Sequence, residues 1–598
     1  MVALFALPAL VGVVVVLGLL AVAAPLLPQR GIPPATAGLS LLALLLALAL
    51  VAAGGQSQLL AGSLAIDPLG AVFLLPPAVA GLAVAGGLLG RAAPAALPGF
   101  VAASLLVVLA GDARFAVLGV ALFATASSDW VVRPAALAGI FLLAAAFATL
   151  SLGGGQSFAA MRAVPPDGWR ATLVLALTLL GVAPLVGWAP WHRPFLALDA
   201  TGLPLPVLSP AIGLYLCVRV LADLCGPATP GWWGLPLLLL GAGSAGAGLI
   251  AALRAPTFGG ILAGLSVQHG GWMLSGLGVA AIARGADLLP LATLALGGTL
   301  LHALNYTAFA SLASLSTGAA AIGAGSQTLD RLGGLAGRMP VVAIGMLVAG
   351  LSLAFLPGSA GFASGWMLLQ ALFAAPRAGG LALQLVVAAV VAAMALSAGF
   401  AAIAVIRLGG VAFLGRPRSP RAAAAEDASL AQRAGIIGMA VLCGLLGLFP
   451  GVALRLCGMA QHWVTSAGLD GQGDWTGIRT QIDSPGYGPL GIVIMVGIVL
   501  AVIAMLSRTG RLPAAQPVPI WEDGFTAPPP WMPFGDPATQ LTPATLTATL
   551  PTRPLRLPSM PRVRLEVTWP SVTLRHAPVV VLILAVLLLL LVAGFGPV

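Results

Sequence analysis

The sequence predicts an all-α, polytopic membrane protein of about sixteen transmembrane helices, with almost all of its mass in the bilayer. Three observations predict it. The chain is 60% hydrophobic and only 7% charged, whereas a soluble domain carries about 25% charged residues. Apolar runs of about 20 residues, the length that spans the hydrocarbon core, recur along its whole length. Its basic residues are divided unevenly between alternate loops, as membrane insertion requires.

Composition narrows the class further. Seventy-seven Gly and 48 Pro are tolerated in membrane helices, where small residues allow close approach and freed backbone groups find other partners. All 27 basic residues are Arg, and Lys is absent from the chain. The pI near 11 comes from Arg scattered over loops, so it reflects membrane topology and not a nucleic-acid partner. Cys217, Cys225, Cys443 and Cys457 lack metal-ligand spacing and are read as packing residues. No nucleotide loop, iron–sulfur ligand set or Ser/His/Asp arrangement occurs, so no cofactor and no redox centre are expected. The N-terminus reads as a first transmembrane helix, because it lacks the basic n-region and cleavage site of a signal peptide.

In chain order the expected spans are 3–27, 35–54, 68–90, 98–112, 115–131, 134–152, 171–190, 206–224, 231–253, 257–283, 288–314, 341–376, 380–408, 433–456, 487–507 and 577–596. Asp112 and Arg114 interrupt the 98–131 stretch. The long 341–376 segment contains Leu356-Pro357-Gly358 and reads as one broken helix. The 171–190 segment ends in Pro184 and Pro190 and is a second candidate. Two interrupted helices in corresponding positions point to an inverted repeat, five helices at 98–224 matching five at 231–408. Flanking these are N-terminal helices (1–97), additional helices (409–507), a polar Pro/Arg-rich cytoplasmic segment (508–576) and a C-terminal helix (577–598). With the N-terminus outside, 19 Arg fall in cytoplasmic loops, seven in external loops, and Arg219 within a span. Counting 341–376 as two crossings would move Arg416, Arg418 and Arg421 outside, so the single broken crossing is favoured. A bacterial inner membrane is the expected location.

Several segments carry a family resemblance. They are LHALNYTAFASLASLSTGAAAIGAGSQTLDRLGGLAGRMP at 301–340, LAFLPGSAGFASGWMLLQ at 353–370, IDPLGAVFLL at 66–75, GLSVQHGGWMLSGLG at 264–278 and IWEDGFTAPPPWMPFGDPATQLTPATL near the C-terminus. In one order, these resemble the antiporter-like membrane subunits of complex I, Mrp antiporters and group 4 hydrogenases. The hydrogenase-4 component B branch, with its formate hydrogenlyase equivalent, is the nearest in pattern. The resemblance implies other membrane subunits as partners. It also implies a mid-membrane proton path built from Glu on the fifth helix and Lys on later ones, a chemistry in which desolvation and a nearby charge set the Lys pKa.

At those positions this chain departs from the pattern. The Glu of the fifth helix aligns with Val120-Ala121, and the Lys positions align with Leu179, Ala211 and Ala310. The acidic position before the tryptophan of the broken helix is Gly365, and a motif His aligns with Val186. The only Glu residues are Glu426, Glu522 and Glu566, all in expected cytoplasmic segments. His269, His302 and Asn305 are the candidates for a residual polar path, with Gln268 and Ser266 nearby. The two His could relay protons or hold a metal, or simply hydrogen-bond two helices together. Arg219 and Asp223 are spaced for an i,i+4 ion pair, and Asp67 and Asp112 for helix caps. The expected function is a degenerate antiporter-like subunit acting as a scaffold. The alternatives are an active proton or cation carrier using a His or water path, and a partner in inorganic-carbon uptake, which nothing in the residues selects.

Overall fold

The computed structural model describes residues 2–54, 56–89, 96–126, 134–192, 205–226, 229–467, 475–478, 486–508 and 533–534. The expected span 577–596 and almost all of 508–576 lie outside the described residues, as does 193–204. Twenty α-helices are described. They are α1 Val2–Ala23, α2 Ile32–Ala53, α3 Pro68–Phe73, α4 Leu75–Gly87, α5 Ala96–Leu109, α6 Ala113–Thr125, α7 Pro134–Ser151, α8 Phe158–Ala163, α9 Gly168–Val186, α10 Leu205–Cys217, α11 Gly234–Arg254, α12 Phe258–Gly285, α13 Leu289–Ala324, α14 Pro340–Leu353, α15 Ala360–Ala374, α16 Leu381–Ile406, α17 Pro420–Ala423, α18 Leu430–Leu448, α19 Pro450–Thr465 and α20 Pro489–Arg508. Among the described residues, nine helical segments are long and apolar enough to cross a membrane. A small sheet among the described residues pairs β1 Ser57–Leu59 with β2 Leu64–Ile66, antiparallel, in the register Ser57↔Ile66.

Local sequence sets the helix ends. Asp67 accepts from the Gly70 N–H at 2.8 Å and Asp112 from the Phe115 N–H at 2.9 Å, so both expected acidic caps form. Ser429 and Gln432 close a reciprocal capping box on α18. Helix α9 stops at Gly187, which takes a left-handed φ of 75° that costs glycine little.

The contacts sort the loops to two ends. At one end Arg162 pairs with Asp67 and Asp223, Arg284 donates to the Ala222 carbonyl, and Asp112 bridges Ser157. At the other, Thr257 bridges Thr328 and Gly334 N–H donates to the Leu414 carbonyl. There too Ser419 donates to the Arg331 carbonyl and Arg407 donates to the Ala252 and Ala255 carbonyls, capping the C-terminus of α11. Helix α14 starts at this second end, where the Val341 N–H meets Asp427. The broken pair α14–α15 then runs to the start of α16, whose own far end is Arg407. It therefore crosses once, with its break at Ala354–Ser359 as the Pro-Gly pair predicts.

Other elements differ from their expected spans. Helix α13 runs 36 residues, well past 314, because nothing in 315–324 breaks it before the left-handed Gly325. The 433–456 span contains a break: α18 ends at Leu448, Phe449 leaves the helical region, and Pro450 opens α19. A proline supports the first turn of a helix but cannot continue the one before it. Gly447 lies against this second interruption's neighbour. A Cβ there would sit 2.9 Å from the Gly358 carbonyl oxygen and the Ala360 nitrogen, so α18 is seated on the break of α14–α15.

The most intimate helix pair is α11 with α12. Gly234, Gly241 and Gly248 on α11 face Gly278, Gly271 and Gly264 on α12, every seventh residue on both, running antiparallel. A Cβ on Gly241 would lie 2.6 Å from the Ser275 nitrogen, and one on Gly271 2.5 Å from the Ala245 nitrogen. Backbone packs on backbone along this seam, as small residues permit in membranes. Because His269 sits about 200° round the helix from Gly271 at 100° per residue, the seam aims it at α13.

Candidate functional site

Four helices converge on a buried polar centre. Helix α12 brings Ser266, Gln268, His269 and Trp272; α13 brings His302, Asn305 and Tyr306; α15 brings Ser364; α16 brings Ser397. All are buried. His269 Nδ1 and His302 Nε2 are 3.1 Å apart, and His302 Nδ1 is 2.8 Å from Ser364 Oγ. The Ser364 hydroxyl also reaches the Ala360 carbonyl at 3.2 Å and the Gly361 carbonyl at 3.3 Å. The Leu353 carbonyl, left free where α14 ends, faces the His269 ring, although no hydrogen bond of ordinary geometry closes at Nε2.

Two proton arrangements satisfy this file. In one, Ser364 donates to a carbonyl, His302 Nδ1–H donates to Ser364, and His269 Nδ1–H donates to His302. In the other, every proton is reversed and His269 Nε2–H points to Leu353. Both leave the rings neutral, since a neutral imidazole has one donor and one acceptor. The first arrangement ends on the Ala360 or Gly361 carbonyl and the second points at that of Leu353, and a backbone carbonyl accepts a hydrogen bond but hands no proton on.

The remaining candidates point elsewhere. Asn305 Nδ2 donates to the Ala360 carbonyl at 2.8 Å and so ties α13 to the first turn of α15. Gln268 donates to the Ser397 carbonyl at 2.7 Å and Trp272 to the Ser397 hydroxyl at 3.0 Å, while Tyr306 pairs with Ser266. Aromatic rings wall the His pair. The Phe355 ring lies 5.7 Å from His302, nearly coplanar in orientation at 3°, and 4.8 Å from His269, with Phe309 on another side. The positions that replace ionisable residues are distributed over α6 (Ala121), α9 (Leu179), α10 (Ala211), α13 (Ala310) and α15 (Gly365), and all five are buried.

A second polar cluster, at one end of the bundle, carries real charge. Arg219 and Asp223 form the expected ion pair at 2.6 Å, but they belong to a larger network. Arg219 also grips Asp67 with two bonds, at 2.7 and 2.8 Å. Arg162 grips Asp223 with two bonds at 2.8 Å and reaches Asp67 at 2.9 Å. Trp463 donates to Asp223 at 3.1 Å, and Tyr215 links Arg219 to the Val108 carbonyl. Arg219 and Asp223 sit in a π-helical extension of α10, Val218–Leu224, a widened turn of the kind found at special sites. The Arg219–Asp223 spacing was legible; the partners 61 and 152 residues away gave no sequence signal.

Burial by itself would raise the Asp67 carboxyl, but the Arg219 and Arg162 guanidiniums outweigh it and hold the pKa at about 2. A folded-state value below the ordinary 3.8 stabilises the fold above that pH. The contribution is then lost as pH falls toward 2. Thermal melts in detergent should therefore drop between pH 4 and pH 2, and Asp67→Asn should flatten that drop. An unchanged profile in Asp67→Asn would remove Asp67 as its source.

Residues 119–396 match the NADH:quinone oxidoreductase/Mrp antiporter transmembrane family. Over that stretch the chain is similar to antiporter-like membrane subunits. An uncharacterised protein of Mycobacterium tuberculosis is 34% identical over 390 residues, covering 60% of this chain and 59% of that one. Hydrogenase-4 component B of Escherichia coli is 30% identical over 319 residues, covering 52% and 47%. The chain thus spans about half to three-fifths of the length of these curated relatives. Among solved structures, a chain of the membrane-bound sulfane sulfur reductase, an archaeal respiratory membrane complex, superposes with a TM-score of 0.70 at 21% identity. That match covers 85% of this chain and 86% of the other. At that identity the likeness is one of fold, and the fold is that of multi-pass subunits in multi-subunit membrane complexes.

Proposed function

We propose that this chain is the antiporter-like membrane subunit of a redox-linked complex of the hydrogenase-4 or NADH:quinone oxidoreductase kind, and that it serves there as a scaffold and not as an ion carrier. One observation carries the reading: the buried His269–His302–Ser364 file meets the Ala360 carbonyl at its Ser364 end, and at its other end His269 Nε2 faces the Leu353 carbonyl without an ordinary hydrogen bond. The sequence adds that the bilayer core holds no Lys, and that Glu426 is exposed at the Arg-rich end. A charge in the membrane interior is functional by default; this interior replaces it with Ala, Leu and Gly.

In this reading α5, α6, α7, α9 and α10 form one repeat, and α11 to α16, with α14–α15 as one helix, form its inverted counterpart. Support comes from the break of α14–α15 in the fourth helix of its set, and from Pro184 and Pro190 in the sequence at and after the end of α9, the fourth of the other. An inner-membrane location with the N-terminus outside is favoured by the gathering of the Arg331, Arg338, Arg416, Arg418 and Arg421 loops at one end.

A carrier using water is the second reading. Buried atoms without hydrogen-bond partners favour it, namely Gln268 Oε1, His269 Nε2 and Asn305 Oδ1, since such atoms are where internal water binds. Proton flux into vesicles holding the purified complex separates the two. The scaffold reading expects His302→Ala and His269→Ala to leave flux and assembly unchanged. Abolished pumping in an intact His302→Ala complex would end it.

A further inference from the structure

We propose that Phe355 is a shutter that closes water access to the His269–His302 pair, with Gly365 as the recess into which its ring fits. Three independent features of the helix break converge on this. First, Phe355 holds a φ of +52°, a left-handed backbone that a bulky residue adopts only when its surroundings impose it. Second, its ring stacks on both imidazoles and on Trp272, 4.5 Å away between centroids. Third, a Cβ at residue 365 would meet Phe355 Cδ1 at 2.5 Å and Cε1 at 2.8 Å. Position 365 must be glycine for the ring to lie where it does, so the two residues work as one unit across the break.

The flanking chain holds this conformation. Gly358 N–H donates to the Tyr487 hydroxyl at 3.0 Å. The Ser359 hydroxyl donates back to the Leu351 and Leu356 carbonyls and caps α15 at Phe362. The strained residue therefore sits on a short, anchored hinge. Returning its φ to the ordinary negative region would redirect its Cβ and lift the ring from the imidazoles, without unwinding α14 or α15. What the opened shutter admits is water, to His269 Nε2 and the Leu353 carbonyl beside it.

This rests on the scaffold reading only in taking the pair as closed in the resting protein. The test is C2-hydrogen exchange of individual histidines in the detergent-solubilised full chain, read by mass spectrometry, with the exposed His462 as internal reference. Phe355→Ala should speed exchange at His269 and His302 by about tenfold or more, as expected for a buried site opened to solvent, and leave His462 unchanged. Gly365→Ala, which pushes the ring from its recess, should move the same two histidines in the same direction. Rates in Phe355→Ala within about twofold of wild type, with an unaltered melting temperature, would overturn the shutter. Where Phe355→Ala does not fold, Phe355→Leu, which keeps apolar bulk but not the stacked ring, decides by the same two criteria. Proton flux by the wild-type chain would defeat the scaffold reading, and the exchange rates would still decide the shutter.

Discussion

Gly271→Val will abolish recovery of folded, monodisperse protein, and Gly271→Ala will lower its stability by about 2–3 kcal/mol. The reason is the seam between α11 and α12, where a Cβ at residue 271 would sit 2.5 Å from the Ala245 nitrogen. Backbone atoms cannot rotate away as a side-chain tip can, so the helices must separate. Separation breaks the adjacent glycine contacts and withdraws His269 and Gln268 from α13 and α16. Gly243→Ala is the control: it lies on the partner helix α11, off the seam, and a Cβ there meets nothing within 4 Å. Thermal melting in detergent checks both. Equal melting temperatures for Gly271→Ala and Gly243→Ala would show that the seam does not hold the pair.

The second large effect concerns the charge network. Arg219→Leu will destabilise the protein by about 3–5 kcal/mol, the cost of leaving buried charge uncompensated. Arg219 is 3% exposed and holds Asp67 and Asp223, at 13% and 5%, so removing it strands two acids on Arg162 alone. The Arg114–Asp112 pair is the comparison: Asp112 is buried at 2% but Arg114 is 43% exposed, so water screens the loss and Arg114→Ala should cost about 1 kcal/mol or less. The ranking, measured by urea or thermal unfolding, tests whether burial and not ion pairing as such sets the effect. The network's value to the intact protein lies in geometry. It fixes the N-terminus of α3, α8, the end of α10 and Trp463 of α19 to one point, whereas the net free energy of a buried pair is often small.

Much of this molecule was readable before any coordinates. The break at Leu356-Pro357-Gly358, the caps at Asp67 and Asp112 and the Arg219–Asp223 spacing all follow from residues a few positions apart. Two further signals are present in the sequence. One is the seven-residue glycine period at 234, 241 and 248 and again at 264, 271 and 278. The other is Pro450, which ends one helix and starts the next inside the expected 433–456 span. The site was half legible. His269 and His302 lie within hydrogen-bond distance of each other, whereas Asn305 turns to the first turn of α15 and not to the pair.

By itself the sequence determined the solvent, the helical class and the absence of Lys, because these depend on composition and on hydrophobic runs counted along the chain. Tertiary structure alone decided that Arg162 and Asp67 complete the charge network, that two histidines 33 residues apart share a hydrogen bond, and that Phe355 fills the space above Gly365. Those outcomes depend on distances between helices. Such distances are set by how closely backbones approach at the glycine seam and at the breaks, a three-dimensional sum that local pattern does not contain.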